Sequence, residues 1–178
     1  MNELDVLIDV AKKLKSVKVQ YMLTGSFAMN YYAEPRMTRD IDIVIEINSG
    51  DIQKIVEIFS PDYYITTNAI KEAIENTRMF NAIHNEAVLK VDFVIRKNTD
   101  YRVNEFNRRK TFQINDVDIQ IVSIEDLIIS KLIWMEESGS EIQKRDVKNL
   151  LNQKVDRDYL ETWIRKLNLT SFYKDCND

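Results

Sequence analysis

The chain has 178 residues, 44% of them hydrophobic, enough for one globular unit with its own core and room for a small helical appendage. Its net charge of −4 excludes a broadly basic nucleic-acid-binding surface, although a local basic patch fits within an acidic chain. The one cysteine, Cys176, excludes a disulfide framework and a CxxC zinc site, and reads as a free thiol on a frayed tail. No apolar run suits a membrane span or a secretory leader, so a cytoplasmic location without membrane contact is expected.

The first helix is expected over roughly Glu3–Val17, where Leu4, Leu7, Ile8, Ala11 and Leu14 keep helical spacing. Val19–Thr24 follows as a short strand. Gly25-Ser26 breaks it, and Ser26 is the expected N-cap of a helix through about Ala33, stopped by Pro35. Asp40–Ile47 is the clearest strand, followed by a helix that starts near Ser49 or Asp51. The middle offers a short strand at 61–66 and a short helix at 68–76. Two strands, 79–84 and 87–96, then turn at Asn85-Glu86. A helix over 99–109 precedes a second hairpin at Asn115-Asp116. From Ser123 onward the pattern is helical. Ser123 and Asp126 form an acidic variant of a capping box, and two further amphipathic helices follow. The expected layout is an α/β half over 1–122 and a helical part over 123–178 packed on it as one unit.

Asp40 and Asp42 sit two apart on a strand, so their side chains share a face. Ile41, Ile43, Ile45 and Ile47 fill the other face. Adjacent carboxylates repel and raise each other's pKa unless a cation compensates, and Mg²⁺ is the natural one because it is hard and shares oxygen ligands with phosphates. Asp92 is a third acid inside an apolar strand. If its strand lies beside Asp40–Ile47, three carboxylates converge, enough for two metal ions. Asp116 and Asp118 repeat the spacing but fall in a turn with no Gly-Ser break upstream, and read as structural.

Gly25 allows a sharp turn and close backbone approach to a ligand, and the helix start at Ser26 attracts anions. Gly25-Ser26, then Asp40-x-Asp42, then Asp92 resembles the nucleotidyltransferase superfamily with the DNA polymerase β-like fold. Arg36-x-Thr38-x-Asp40-x-Asp42, Ser123–Leu132 and Lys144–Leu151 are similar to its AbiEii/AbiGii toxin-like branch. The resemblance spans residues 19–151. It implies an α+β fold: a mixed sheet flanked by helices, with a helical C-terminal part. It also implies transfer of a nucleoside monophosphate from an NTP to an acceptor (RNA or tRNA, a protein, or a small molecule) with Mg²⁺ or Mn²⁺, releasing pyrophosphate. Gly25, Ser26, Arg36 and Thr38 would then bind phosphate, and Asp40 and Asp42 the metal. Asp92 would bind a second metal or activate the acceptor hydroxyl. Lys131 would neutralise triphosphate charge. Some members of the branch modify tRNA as toxins beside an antitoxin, and others in the wider fold adenylylate antibiotics.

Other residues have plainer readings. Arg39 flanks the acids and is either a phosphate ligand or a surface charge. Asp146 is a metal ligand, a base, or the ion-pair partner of Arg145 or Lys131. His84 lacks a nucleophile elbow and reads as a strand or turn residue. Arg108, Arg109 and Lys110 read as a solvated face, and Trp134 and Trp163 as core or interface. Two rival functions stand beside the transferase: a catalytically silent nucleotide- or partner-binding member of the fold, and a metal-dependent phosphohydrolase.

Overall fold

The structure, a computed structural model, describes residues 1–35, 37–38 and 40–177. Helix α1 (Glu3–Ser16) opens the chain, followed by strand β1 (Gln20–Thr24), helix α2 (Gly25–Met29) and strand β2 (Asp40–Glu46). Then come α3 (Ile52–Phe59), β3 (Tyr63–Tyr64), α4 (Thr67–Asn76), β4 (Met79–His84), β5 (Lys90–Ile95) and α5 (Asp100–Asn107). The hairpin β6 (Lys110–Ile114) and β7 (Val117–Ile121) precedes four helices: α6 (Ile124–Ser138), α7 (Glu141–Leu151), α8 (Arg157–Lys166) and α9 (Thr170–Asn177).

The strands form one mixed seven-stranded sheet in the order β3-β4-β5-β2-β1-β7-β6. The β2–β5 and β1–β7 pairs are parallel and the others antiparallel. Alternation sets the two faces. Ile41, Ile43 and Ile45 of β2 and Val91, Phe93 and Ile95 of β5 are buried together with Phe80 and Ala82 of β4. Phe93 stacks on Phe80 and meets Phe59 of α3 edge-on, with centroids 5.1 and 5.5 Å apart. Truncating such a ring to alanine costs about 3–5 kcal/mol. The opposite face of β2 and β5 carries Asp40, Asp42, Lys90 and Asp92.

Most expected elements are present, and the hairpins turn where expected. Asn115 and Asp116 both have positive φ, 46° and 60°, as a two-residue hairpin of this hand needs. Three expectations are corrected. The helix after Gly25 ends at Met29 rather than Ala33, because the next amides bond three residues back, Asn30 to Phe27 and Tyr31 to Ala28. Its N-cap is Thr24, two residues earlier than Ser26, because Gly25 itself turns with φ +66°. The tail is not frayed: α9 buries Cys176 in the core with Leu169, while Phe172 and Tyr173 pack against it. His84, expected in a strand or turn, is the last residue of β4. Its Nδ1 accepts from the amides of Glu86 and Ala87, and its ring meets Tyr63 edge-on.

Candidate active site

Strands β2 and β5 run parallel with Asp42 directly beside Asp92, and Asp40 beside Lys90. Neighbouring strands lie about 4.8 Å apart, so the carboxylates of one rung face each other closely. The next strand outward, β4, places Asn81 beside Asp92 and Ile83 beside Lys90 on the same face. The expected convergence of Asp40, Asp42 and Asp92 is therefore present in the register.

The Gly25 turn meets this rung from the other side. Thr24 pairs with Asp42 across β1–β2. A Cβ on Gly25 would overlap the Asp42 carboxylate, and Gly25 also holds φ +66°, a conformation that side chains rarely adopt. Glycine here makes room for the acid, which is a second reason for its presence besides the turn. Ser26 is buried inside the first turn of α2.

The charges are only partly balanced. Lys90 Nζ lies 2.8 Å from Asp92 Oδ2 and 3.6 Å from Asp40 Oδ1, and the Asp92 bond raises the Lys90 pKa. The other oxygen of Asp92 is buried and has no hydrogen-bond partner among the described residues. Burial, then the charges of Asp92 and Asp40, push the Asp42 carboxyl up to about 6, against the opposing pull of Lys90 and Lys131. Among the described residues no three His, Cys, Asp or Glu side chains close into a ready metal cage.

Lys131 approaches from α6. Its Nζ bonds Asp146 Oδ2 at 2.7 Å and Gln143 Oε1 at 3.2 Å, all three buried between α6 and α7. The ion-pair reading of Asp146 is thus observed, with Lys131 as its partner. Thr38 is half-buried beside the strand start, its Oγ1 3.4 Å from the Asp40 carbonyl oxygen. Arg36 and Arg39 lie outside the described residues.

Of the basic run expected to be a solvated face, Lys110 is exposed, whereas Arg108 and Arg109 pack against the protein. Arg108 donates to Asp126 at 3.1 Å and Glu125 at 3.2 Å, with its guanidinium 3.7 Å from the Tyr159 ring centroid. Arg109 covers the Phe106 ring and bonds Gln20. These contacts arise because α5 packs where α6 and α8 bring acids and a ring. Trp163 packs on Tyr101, whereas Trp134 is half-exposed. Sequence reasoning missed Lys90. The signal was available: Lys90 and Asp92 are two apart on a strand and must share a face.

A family model for the nucleotidyl transferase AbiEii toxin of type IV toxin–antitoxin systems matches residues 14–159. The chain belongs to the AbiEii nucleotidyltransferase family. Solved structures agree on the fold. An antigenic nucleotidyltransferase-like protein from Paracoccidioides brasiliensis is 20% identical, with TM-score 0.57 over 96% of this chain and 91% of its own. The lincomycin-bound lincosamide adenylyltransferase LnuA is 17% identical, with TM-score 0.54 over 84% and 96%. ANT(2")-Ia, solved with adenylyl-2"-tobramycin, is 10% identical, with TM-score 0.60 over 98% of each chain. No curated protein matches the sequence. Within this AbiEii-family chain, no described helix is long and apolar enough to cross a membrane.

Proposed function

We propose that the chain is a metal-dependent nucleotidyltransferase that moves a nucleoside monophosphate from an NTP to an acceptor. The observation that carries this reading is the register of Asp40, Asp42 and Asp92 against the Gly25 turn. Surplus negative charge on a partly buried rung, with one buried carboxylate oxygen of Asp92 unpartnered among the described residues, fits a hard divalent cation such as Mg²⁺ or Mn²⁺. Asp40, Asp42 and Asp92 would hold it. When bound, the metal supplies neutralisation of triphosphate charge.

The chain's own groups do the rest. Backbone amides at Gly25-Ser26 bind phosphate oxygens, together with Thr38 and, on the sequence pattern alone, Arg36 and Arg39. Lys131, fixed by Asp146 and Gln143, adds positive charge on the Asp42 side of the rung. Asp92 accepts the proton of the acceptor hydroxyl. The acceptor oxygen then bonds to the α-phosphorus, the α–β phosphoanhydride bond breaks, and pyrophosphate leaves. Asp146 acts as a positioning residue for Lys131.

The family is one of toxins in type IV toxin–antitoxin systems, which supports a toxin with an antitoxin partner; a cytoplasmic location is expected from the sequence, and RNA, including tRNA, as the acceptor class is what the sequence resemblance implies. LnuA, a lincosamide antibiotic adenylyltransferase, and ANT(2")-Ia, solved with adenylyl-2"-tobramycin, make small antibiotics the comparison class. The test is incubation with each α-labelled NTP and Mg²⁺, offering total tRNA, a lincosamide and an aminoglycoside in separate arms. Label should move to one acceptor with wild type and not with Asp42→Asn or Asp92→Asn. Equal transfer by wild type and both variants would overturn the assignment, and phosphate release without acceptor labelling would favour a phosphohydrolase.

A further inference from the structure

Lys90 stands where the acids need a cation. It sits on β5 two residues before Asp92 and in register with Asp40, so its ammonium spans two rungs of the acidic face. Two of the three carboxylates are in contact with it: Asp92 Oδ2 at 2.8 Å and Asp40 Oδ1 at 3.6 Å. Asp42, beside Asp92, feels it only through the field. The Asp92 carboxyl group is buried, yet one of its oxygens bonds the ammonium and the other has no partner among the described residues. The lysine side chain itself is over a third exposed, so it is free to swing outward on its four-carbon stem.

We propose that Lys90 is a resident counter-ion of the metal-free site, and that a divalent cation must displace its ammonium from Asp92 and Asp40 to bind. This rests on the metal-site reading above. A lysine ammonium and a divalent cation compete for the same oxygens and repel each other at short range. An ammonium that stays beside the site therefore weakens free metal more than it weakens a metal already neutralised by triphosphate. The consequence is selectivity: the site takes a nucleotide-bound metal in preference to the free ion. A displaced Lys90 then becomes available to the incoming polyphosphate, for which a mobile point charge is suited.

The experiment measures Mn²⁺ binding by electron paramagnetic resonance on the full-length protein, without and with a non-hydrolysable NTP analogue. Wild type is compared with Lys90→Met and Lys90→Arg, each checked for native far-UV circular dichroism. Lys90→Met should bind free Mn²⁺ roughly tenfold more tightly than wild type, following the loss of one nearby positive charge. Lys90→Arg should stay close to wild type. The analogue should narrow the gap between Lys90→Met and wild type. In EDTA, Lys90→Met should melt below wild type, and saturating Mn²⁺ should close that difference. Equal or weaker free-Mn²⁺ binding by Lys90→Met, with wild type still binding Mn²⁺ in the presence of analogue, would overturn the role of Lys90 alone. Absence of Mn²⁺ binding by every variant in both conditions would overturn the metal-site reading and this inference together.

Discussion

Two polar regions of this molecule, one buried and one partly exposed, are built on opposite electrostatic terms. Between α5, α6 and α8, the fully buried Asp126 bonds Ser123 at 2.6 Å, Tyr159 at 2.6 Å and Arg108 at 3.1 Å, and Glu125 adds a second acceptor for Arg108. Nearby, Glu105 bonds Arg102 and Ser130. Each carboxylate there meets a cation and several donors. On the β2–β5 face, among the described residues, three carboxylates share one lysine within ion-pair distance, and one buried oxygen of Asp92 has no hydrogen-bond partner. Satisfied networks hold elements in place, whereas a concentration of like charge is maintained against stability and points to a ligand. The same residue type therefore has opposite meanings a few strands apart.

The sharpest way to break the comparison is to remove one acid from each region. Asp42→Asn or Asp92→Asn should lower nucleotidyl transfer on the order of a hundred- to thousandfold, as expected when a group that stabilises developing charge is lost. Single-turnover assays with labelled NTP will read it. Those variants should unfold in urea no earlier than wild type at pH 7. Asp126→Ala should do the reverse to stability. It strands Arg108, Tyr159 and Ser123, and the expected loss is about 3 kcal/mol, read from the urea midpoint. Equal loss of stability in both regions would dissolve the distinction.

The Lys131–Asp146 pair lies between these cases, because it is buried and matched yet its lysine acts on Asp42. Lys131→Met should cost about 3 kcal/mol by leaving Asp146 buried without its cation. The double variant Lys131→Met/Asp146→Leu should recover most of that stability. Transfer activity should stay low in both, because the added leucine restores packing and not charge. If the double variant regains activity together with stability, Lys131 serves the fold alone.

How legible this was in the sequence follows from range. Strand β2 declared itself, because period-two isoleucines leave the intervening positions to one face, and that put Asp40 and Asp42 together. Whether Asp92 joined them depended on strand order, which only the β2–β5 pairing supplies. Lys90 was within reach of the same parity argument. Arg108 and Arg109 were not: their partners Glu125, Asp126, Tyr159 and Gln20 are 17 or more residues away, and a basic run carries no mark of what covers it. Helix α9 was legible and missed, since Leu169, Phe172, Tyr173 and Cys176 keep the i, i+3, i+4, i+7 spacing of a buried face.

The pH dependence of stability sharpens the contrast in the metal-free protein. Asp42 titrates near 6 when folded, against an ordinary value of about 4 when unfolded. Between those values the folded state binds more protons, so stability falls as pH rises. The Asp42 contribution is fully present below about pH 4, is lost through about pH 6, and changes little above it. The corresponding advantage of Asp42→Asn over wild type should grow across that window to about 2 kcal/mol. Urea unfolding of both proteins in EDTA at pH 4, 5, 6 and 7 measures it. Saturating Mn²⁺ should stabilise wild type more than the variant at pH 7 and so shrink the advantage. A difference that is flat from pH 4 to 7 would show that the acids on this face do not burden one another.

The smallest expected effect on stability tests the turn that meets them. Gly25→Ala requires a side chain at φ +66° and a methyl group where the Asp42 carboxylate now lies. Strain at such a backbone angle costs on the order of 1–2 kcal/mol. The displaced carboxylate is the more informative consequence, because Asp42 must move along the rung and away from its alignment with Asp92. Combining the substitution with Asp42→Gly removes the overlap while leaving the backbone strain. In urea, the double variant should therefore lose less stability relative to Asp42→Gly than Gly25→Ala loses relative to wild type. That difference isolates steric crowding from conformational strain. An additive result would mean that Gly25 is there for its backbone angle alone, and that the acid takes its position from the strand without help from the turn.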